Sequence, residues 1–493
     1  MHTFYNRFND NVDNGQIDSV LENLRTQSLD NNIPILEESV VKQFLTLNSK
    51  KAAGPDNVPP YLLKSCARQL APVFTHLFNL CSSDHIPVIW KTATIIPVPK
   101  HGKPTLNNDY RPVALTSVPF KCLERIILER LLSQTGDKLD QYQYAYRKNK
   151  STEDCVLTLV ENTICHLERP QTYARALFID YSSTFNTIKP LILIKKLTDL
   201  NVPSSLCAFI LDFLTKRQQR VRISDVLSDI LICNVGSPQG CVLSVILYVI
   251  YTNDLSTLFT DCMVLKYADD TVILGLIHNN SEDHYREQID HTYKWCCTNN
   301  LILNTKKTKE VIFDFRKKHR IILDPIIVDN SIVEVCENFK YLGIVVDNKL
   351  SWHDHISYIV SKCNQRLFFL RLLNSFSVTP NILQRFFCSI IESIYKYNMT
   401  VWYKSAHEYD RKKIDRIWKS ANRIIRNEAL VLPSDLYTNV VLKKVSTIMK
   451  QPEGLFKYEF MRSGTRLRGI SCSTQRYRKS FYPDSVYVYH ARH

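Results

Sequence analysis

The chain has 493 residues, 45% hydrophobic and 23% charged, which excludes a disordered or fibrous protein and gives enough length for two or three structural units. Its 63 Lys and Arg against 48 Asp and Glu leave a formal charge of +15, and residues 401–493 alone carry 19 basic against 8 acidic side chains, so a polyanionic partner is expected toward the C-terminus. Fifteen cysteines without paired CxxC spacing, no signal peptide, and no apolar run longer than about 241–251 argue against disulfide, zinc and membrane classes and for an intracellular protein, in nucleus or cytoplasm.

Residues 1–35 are polar with little periodicity and read as a linker or the remnant of something longer. Leu62, Leu63, Cys66, Leu70, Val73, Phe74, Leu77 and Phe78 recur at helical spacing over 60–81, and an N-terminal helical extension is assigned to 36–79. Pro87 breaks that pattern before a strand over 92–99, and a helix follows over 120–132. Strands are predicted at 174–180, 220–223, 263–266 and 271–274, separated by helices around 151–166, 204–216, 241–252 and 282–299. A hairpin near 339–346 is followed by helices at 353–374, 380–397 and 408–427, and 431–493 reads as a basic tail. The class is α+β.

Tyr267-Ala268-Asp269-Asp270 lies between two apolar runs and reads as strand, tight turn, strand, with two carboxylates at the tip. A lone Asp-Asp is an ordinary solvated turn. Asp180, however, ends another apolar strand, and if the strands pair, it joins Asp269 in a hard-oxygen site for Mg²⁺. Strand alternation ranks Asp269 above Asp270 in that site. Two such ions about 4 Å apart activate a primer hydroxyl and stabilise departing pyrophosphate.

The segments 178–187 (FIDYSSTFNT), 236–244 (GSPQGCVLS) and 267–270 (YADD), in that order, resemble the A, B and C motifs of the reverse transcriptases of non-LTR, LINE- or jockey-like retrotransposons. KAAGPDNVPPYLLK (51–64), IIPVPK (95–100), YRPVALTS (110–117), LNTKKT (303–308) and YLGIVVD (341–347) extend the resemblance over about 36–430. It implies a right-hand polymerase, with fingers and a palm of small antiparallel sheet over 80–347 and a helical thumb-like region over 348–430. It also implies an RNA-directed DNA polymerase that uses two Mg²⁺ ions, with Mn²⁺ as a substitute. RNA template, DNA primer or target DNA and dNTPs are then its partners. Asp180, Asp269 and Asp270 become the metal-binding carboxylates.

By the same resemblance Phe185 lies under the incoming sugar, where its ring excludes a 2′-hydroxyl. Gln239 positions the nucleotide and template, Lys100 and Arg111 grip the triphosphate from the two ends of a hairpin, and Lys307 is the candidate general acid for pyrophosphate. Along the helix at 408–427, Lys412, Arg416, Lys419, Arg423 and Arg426 form a stripe opposite Ile414, Ile417, Ala421 and Ile424, without interspersed acids, suited to duplex phosphates. Arg462, Arg466, Arg468, Arg476, Arg478 and Lys479 add a second basic cluster. Thr184 and Val245 depart from the family's usual Ala and Pro. The resembled elements carry an endonuclease ahead of the polymerase, and none is expected here. The competing expectations are an inactive or co-opted polymerase fold that serves as an RNA-binding scaffold, and a maturase- or telomerase-type polymerase.

Overall fold

The computed structural model describes residues 14–27, 34–316, 323–426, 430–450, 458–459, 461 and 466–492. Two compact units are each assembled from separated stretches: 1–147, 181–256 and 292–303 form one, and 148–180, 257–291 and 304–493 the other.

In the first unit a twisted sheet runs in the order Tyr110–Leu115, Ala93–Pro99, Arg217–Ile223, Val226–Leu227, with Leu231–Cys233 also on the third strand. Ala93–Pro99 is antiparallel to its hairpin partner and parallel to Arg217–Ile223. Beside it the helix Val118–Thr135 starts where the Ser117 hydroxyl accepts the Phe120 N–H at 3.2 Å and Pro119 supplies a preset φ. An aromatic run joins the helices: Phe78 to Trp90 at 5.7 Å, Trp90 to Phe120 at 6.0 Å, and Phe120 to Phe213 at 5.8 Å between centroids.

The expected linker is helical over Asn14–Thr26. Ile17 and Leu21, four residues apart, are buried, Lys216 reaches Asp18 at 2.7 Å, and Asn234 donates to Asn14 at 2.9 Å. Ile17, Val20, Leu21 and Leu24 recur at i, i+3, i+4 and i+7, a helical stripe present in the sequence that the linker expectation overlooks. The rest of the 1–35 reading lies largely outside the described residues.

The second unit is built on a sheet ordered Glu334–Val335, Lys309–Phe313, Thr172–Ile179, Asp270–His278, Cys262–Tyr267, antiparallel except for the parallel first pair. All eight residues of Thr172–Ile179 are buried, as a central strand requires. Arg175 sits in that strand, and its guanidinium makes a fork onto Glu310 at 2.8 and 2.7 Å and a bond to Glu282 at 2.7 Å. Tyr285 and Tyr173 hydroxyls add bonds to the same two carboxylates at 2.8 and 2.7 Å. Burial would lower the Arg175 pKa, but the hydrogen bonds and charge of Glu310 override it and raise it. Gly275 faces this network, and a Cβ there would lie 2.5 Å from the Tyr285 ring, so only glycine admits that ring.

The expected helix at 380–397 is present but interrupted by a π-helical stretch, Phe387–Glu392. Within the expected basic tail, 431–493, the described residues include packed helices. Leu436, Tyr437, Val441 and Val445 bury one face of the helix Pro433–Met449, and Lys444 pairs with Asp154 at 2.7 Å and Glu153 at 3.2 Å. Glu161 accepts the Ser480 hydroxyl at 2.9 Å and the Phe481 N–H at 2.7 Å, at the start of the helix Phe481–Arg492. The basic count hid an apolar stripe at helical spacing. Among the described residues no helix is long and apolar enough to cross a membrane.

Removing one partner of the Arg175–Glu310 fork leaves a buried charge uncompensated. Arg175→Met is expected to cost about 3–5 kcal/mol in denaturant unfolding of the second unit, while Arg175→Met with Glu310→Met recovers much of the loss. Equal instability of the single and double variants would contradict this reading.

Candidate active site

Thr172–Ile179 pairs with Asp270–His278 along its whole length, ending at Ile179 opposite Thr271. One residue further on, Asp180 therefore faces Asp270 across the ladder, on the same side of the sheet, where cross-strand Cβ atoms come within about 5 Å. Cys262–Tyr267 and Asp270–His278 close a hairpin whose last pair is Tyr267 with Asp270. The two-residue turn is Ala268-Asp269, and Ala268 adopts φ +56°, a left-handed conformation costing about 1–2 kcal/mol for a residue with a Cβ. Asp269 thus lies in the turn rather than in the strand, so the alternation that ranked it above Asp270 does not apply.

Asp180, Asp269 and Asp270 are brought together. Desolvation, then the charges of Asp269 and Asp180, push the Asp270 carboxyl up from 3.8 to about 6. Asp270 is exposed as a whole residue, yet its carboxyl is crowded by like charges. Among the described residues no group of three or more His, Cys, Asp or Glu side chains is arranged so as to hold a metal ion. The charges of Asp180 and Asp269 both act on Asp270. An open, all-oxygen set fits Mg²⁺, which retains waters and takes substrate phosphates, and does not fit a structural zinc site.

The turn carrying Lys307 is tied to the same strand end. Asn304 N–H donates to the Asp180 carbonyl at 2.8 Å, and the Asp180 N–H donates to the Thr308 hydroxyl at 3.3 Å. Lys307 is exposed in that turn. On the face shared by Phe178 and Asp180, Phe178 stacks on Phe339 at 4.5 Å, so the hairpin of Asn338–Tyr341 and Ile344–Asp347 lies beside the carboxylates.

The first unit holds the other candidates. Phe185 is half-buried in a short 3₁₀ turn, its ring 5.4 Å from that of Tyr248. Its carbonyl accepts the Ser237 N–H at 2.7 Å, which brings the Phe185 turn and the Gln239 loop together. Arg111 pairs with Val98 in the hairpin register, and Lys100 lies two residues beyond Val98, so both cations share one face. Both are exposed, and the Lys100 ammonium donates to the Asn108 carbonyl at 2.6 Å within the hairpin loop.

Lys412, Arg416, Lys419, Arg423 and Arg426 are all exposed, whereas Ile414, Ile417 and Ala421 are buried. Two details of the stripe change. Lys412 is paired with Glu408 at 2.8 Å, so one acid does intrude, and Arg426 lies past the helix Glu408–Ile425 at φ +55°. Ile425 is buried where Ile424 is only half-buried. Arg476 is spent on the Phe315 ring at 3.4 Å and Arg468 on Glu459 at 3.0 Å, while Arg462 falls outside the described residues. The residues not anticipated are Glu124, Arg175, Glu282 and Glu310. Glu124 carries a readable signal, because it stands among Phe120, Ile127 and Leu131 on the buried face of its helix.

The family described as "Reverse transcriptase (RNA-dependent DNA polymerase)" matches residues 98–346, 249 of the 493. The chain belongs to the reverse transcriptase family. Similar proteins include the "Probable RNA-directed DNA polymerase from transposon BS" of Drosophila melanogaster, 28% identical over 408 residues, covering 80% of this chain and 44% of that protein. The "RNA-directed DNA polymerase from mobile element jockey" of the same species is 28% identical over 358 residues, covering 70% and 38%. Its namesake from Drosophila funebris is 26% identical over 349 residues, covering 68% and 37%. The chain thus spans less than half the length of these relatives.

The raised Asp270 pKa has a stability consequence. The folded chain holds this proton more tightly than the unfolded chain, so the associated stability is present below about pH 4 and is lost as pH rises through about 6. Asp270→Asn should therefore raise the melting temperature most at pH 8 in EDTA and hardly at about pH 3.5, below the unfolded carboxyl's pKa. An equal gain at both values, or none at pH 8, would contradict the charge crowding.

Proposed function

We propose that the chain is the RNA-directed DNA polymerase of a non-LTR retroelement, extending a DNA primer on an RNA template from dNTPs. The observation that carries this reading is the convergence of Asp180, Asp269 and Asp270 at one end of a buried, register-locked sheet. Family membership and the names of the Drosophila relatives support the same choice.

Asp180, Asp269 and Asp270 would hold two Mg²⁺ ions, or Mn²⁺ in their place, whose charge lowers the pKa of a primer 3′-hydroxyl and offsets the charge developing on pyrophosphate. The chain's own part is to bind, orient and select. Lys100 and Arg111, on one face of the fingers hairpin, neutralise triphosphate oxygens, Arg111 through its planar fork and Lys100 as a compact charge. Phe185 offers a ring to the 2′ position of the sugar, and Gln239 orients the nucleotide. Lys307, on the turn pinned to Asp180, donates a proton toward departing pyrophosphate.

The sheet carrying the carboxylates corresponds to the palm, and the helices from His353 onward to the thumb. Arg416 and Arg423, exposed along their helix, would face the backbone of the template–product duplex together with Lys419, whose charge is shared with Asp415, and Lys412, paired with Glu408. Action within the cell, in nucleus or cytoplasm, follows from the nature of such elements.

Primer extension by purified protein on an RNA template with dNTPs and Mg²⁺ tests the proposal. Asp269→Asn should abolish extension while template–primer binding stays intact, since an amide is a neutral and poorer ligand for a hard cation. Residual activity within about tenfold of the wild type would remove Asp269 from the reaction, a loss far below that expected for a metal ligand. Phe185→Ala should admit ribonucleotides in single-nucleotide insertion. Unchanged discrimination between dGTP and rGTP would return Phe185 to a packing role.

A further inference from the structure

We infer that Glu124 is the positioning residue for the loop that carries Gln239, an inference whose kinetic consequence rests on the polymerase reading above. Glu124 belongs to the helix Val118–Thr135 and is completely buried. Its Oε2 accepts the N–H groups of Val242 at 2.6 Å and Leu243 at 3.0 Å. These are among the orphan donors at the start of the helix Leu243–Tyr251, whose N-cap residue, Val242, has no side chain able to satisfy them. A carboxylate borrowed from another helix thus serves as the cap.

The arrangement is costly. Oε1 is buried with no hydrogen-bond partner, and burial pushes the carboxyl up to about 7 although both backbone donors pull the other way. Phe120, Ile127 and Leu131 show that the same helix face is otherwise apolar. What the carboxylate provides and an apolar side chain cannot is a fixed point three residues beyond Gln239.

The other end of the loop is fixed independently. Gly236 N–H donates to the Ile188 carbonyl, Ser237 N–H to the Phe185 carbonyl and Ala114 N–H to the Gln239 carbonyl, each at 2.7 Å. Gly240, at φ +128°, lies so close to the Ala114 carbonyl that a Cβ would stand 2.6 Å away. With Glu124 holding Val242 and Leu243, the backbone on both sides of Gln239 is anchored, and the half-buried Gln239 side chain is presented in one orientation. The helix bearing Glu124 is braced in turn: the Ser117 hydroxyl, its cap, donates to Asp56 at 2.6 Å, and a Cβ on Gly54 would lie 2.5 Å from the Thr116 carbonyl. The segment 51–64 thereby acquires a mechanical role at a distance.

Glu124→Met, similar in volume and unable to accept, should raise the dNTP KM by about tenfold or more, the scale of a modest loss of positioning, with template–primer affinity unchanged. Glu124→Gln keeps an acceptor for both N–H groups and should restore the KM to within about twofold of the wild type. In a Gln239→Ala background the Glu124→Met effect should largely vanish, because residues acting in series are not additive. Additive effects, or an unchanged KM in Glu124→Met, would overturn the inference. Should Glu124→Met fail to fold, Glu124→Gln decides alone, and a tenfold rise in its KM would refute hydrogen-bond acceptance as the role. Absence of primer extension by the wild type would instead refute the polymerase reading. Amide exchange over 237–243 then still tests Glu124, accelerating in Glu124→Met if the loop depends on it and remaining unchanged if it does not.

Discussion

Like charges gathered at one strand end are the constraint on which the rest of the second unit depends. Asp180, Asp269 and Asp270 repel one another, and nothing about their own chemistry would hold them together in the absence of a cation. The backbone ladder does so. Eight consecutive pairs between Thr172–Ile179 and Asp270–His278 fix the register, and a slip of one residue would turn Asp180 to the opposite face. Arg175, five residues back along the same strand, clamps Glu310 and Glu282 and ties the central strand to its neighbours from within the core. Ala268 accepts a left-handed backbone at the hairpin tip. Repulsion and strain are both concentrated where a cation would relieve one and exploit the other.

The first unit solves a related problem with backbone rather than charge. Each flexible element that the proposed chemistry uses is anchored by main-chain bonds close to the side chain concerned, as at Phe185, Gln239 and Ala114. A buried acid, Glu124, completes one of these anchors at the Leu243–Tyr251 helix; in the second unit Glu161 binds the start of the Phe481–Arg492 helix in a similar way, and burial pushes both carboxyls up to about 7. The start of the Leu243–Tyr251 helix, whose Val242 cap has no accepting side chain, is thus satisfied from a neighbouring helix, at a desolvation cost that only a required geometry justifies.

Much of this was legible in the sequence because the signals were local. The apolar run 174–179 ending in Asp180 and the turn at Ala268-Asp269 announced a strand and a hairpin, and the alternate strong helices followed their periodicity. What could not be read depended on partners distant in the chain. Asn14–Thr26 does carry a helical stripe in Ile17, Val20, Leu21 and Leu24, but Lys216 and Asn234, which hold it in place, lie far along the chain. The basic C-terminal stretch looked like a tail because its arginines outnumber its acids, while the acids it pairs with, Glu153, Asp154, Glu161 and Glu168, lie some 300 residues earlier. Lys412 looked unopposed only because Glu408 falls just before the stripe. Within the site, the motifs named the carboxylates, but only the register shows that Asp270, rather than Asp269, stands directly across from Asp180.

The claim that the three carboxylates form a single divalent-cation site is tested most directly by localised cleavage with Fe²⁺, which occupies oxygen ligand sets of this kind and generates radicals where it binds. With Fe²⁺ and ascorbate, backbone scission should occur at two places far apart in sequence, beside residue 180 and beside residues 269–270. Both cuts should be suppressed together by excess Mg²⁺ and lost together in Asp180→Asn. Cleavage at only one of the two, or cuts that persist unchanged in Asp180→Asn, would contradict a shared site.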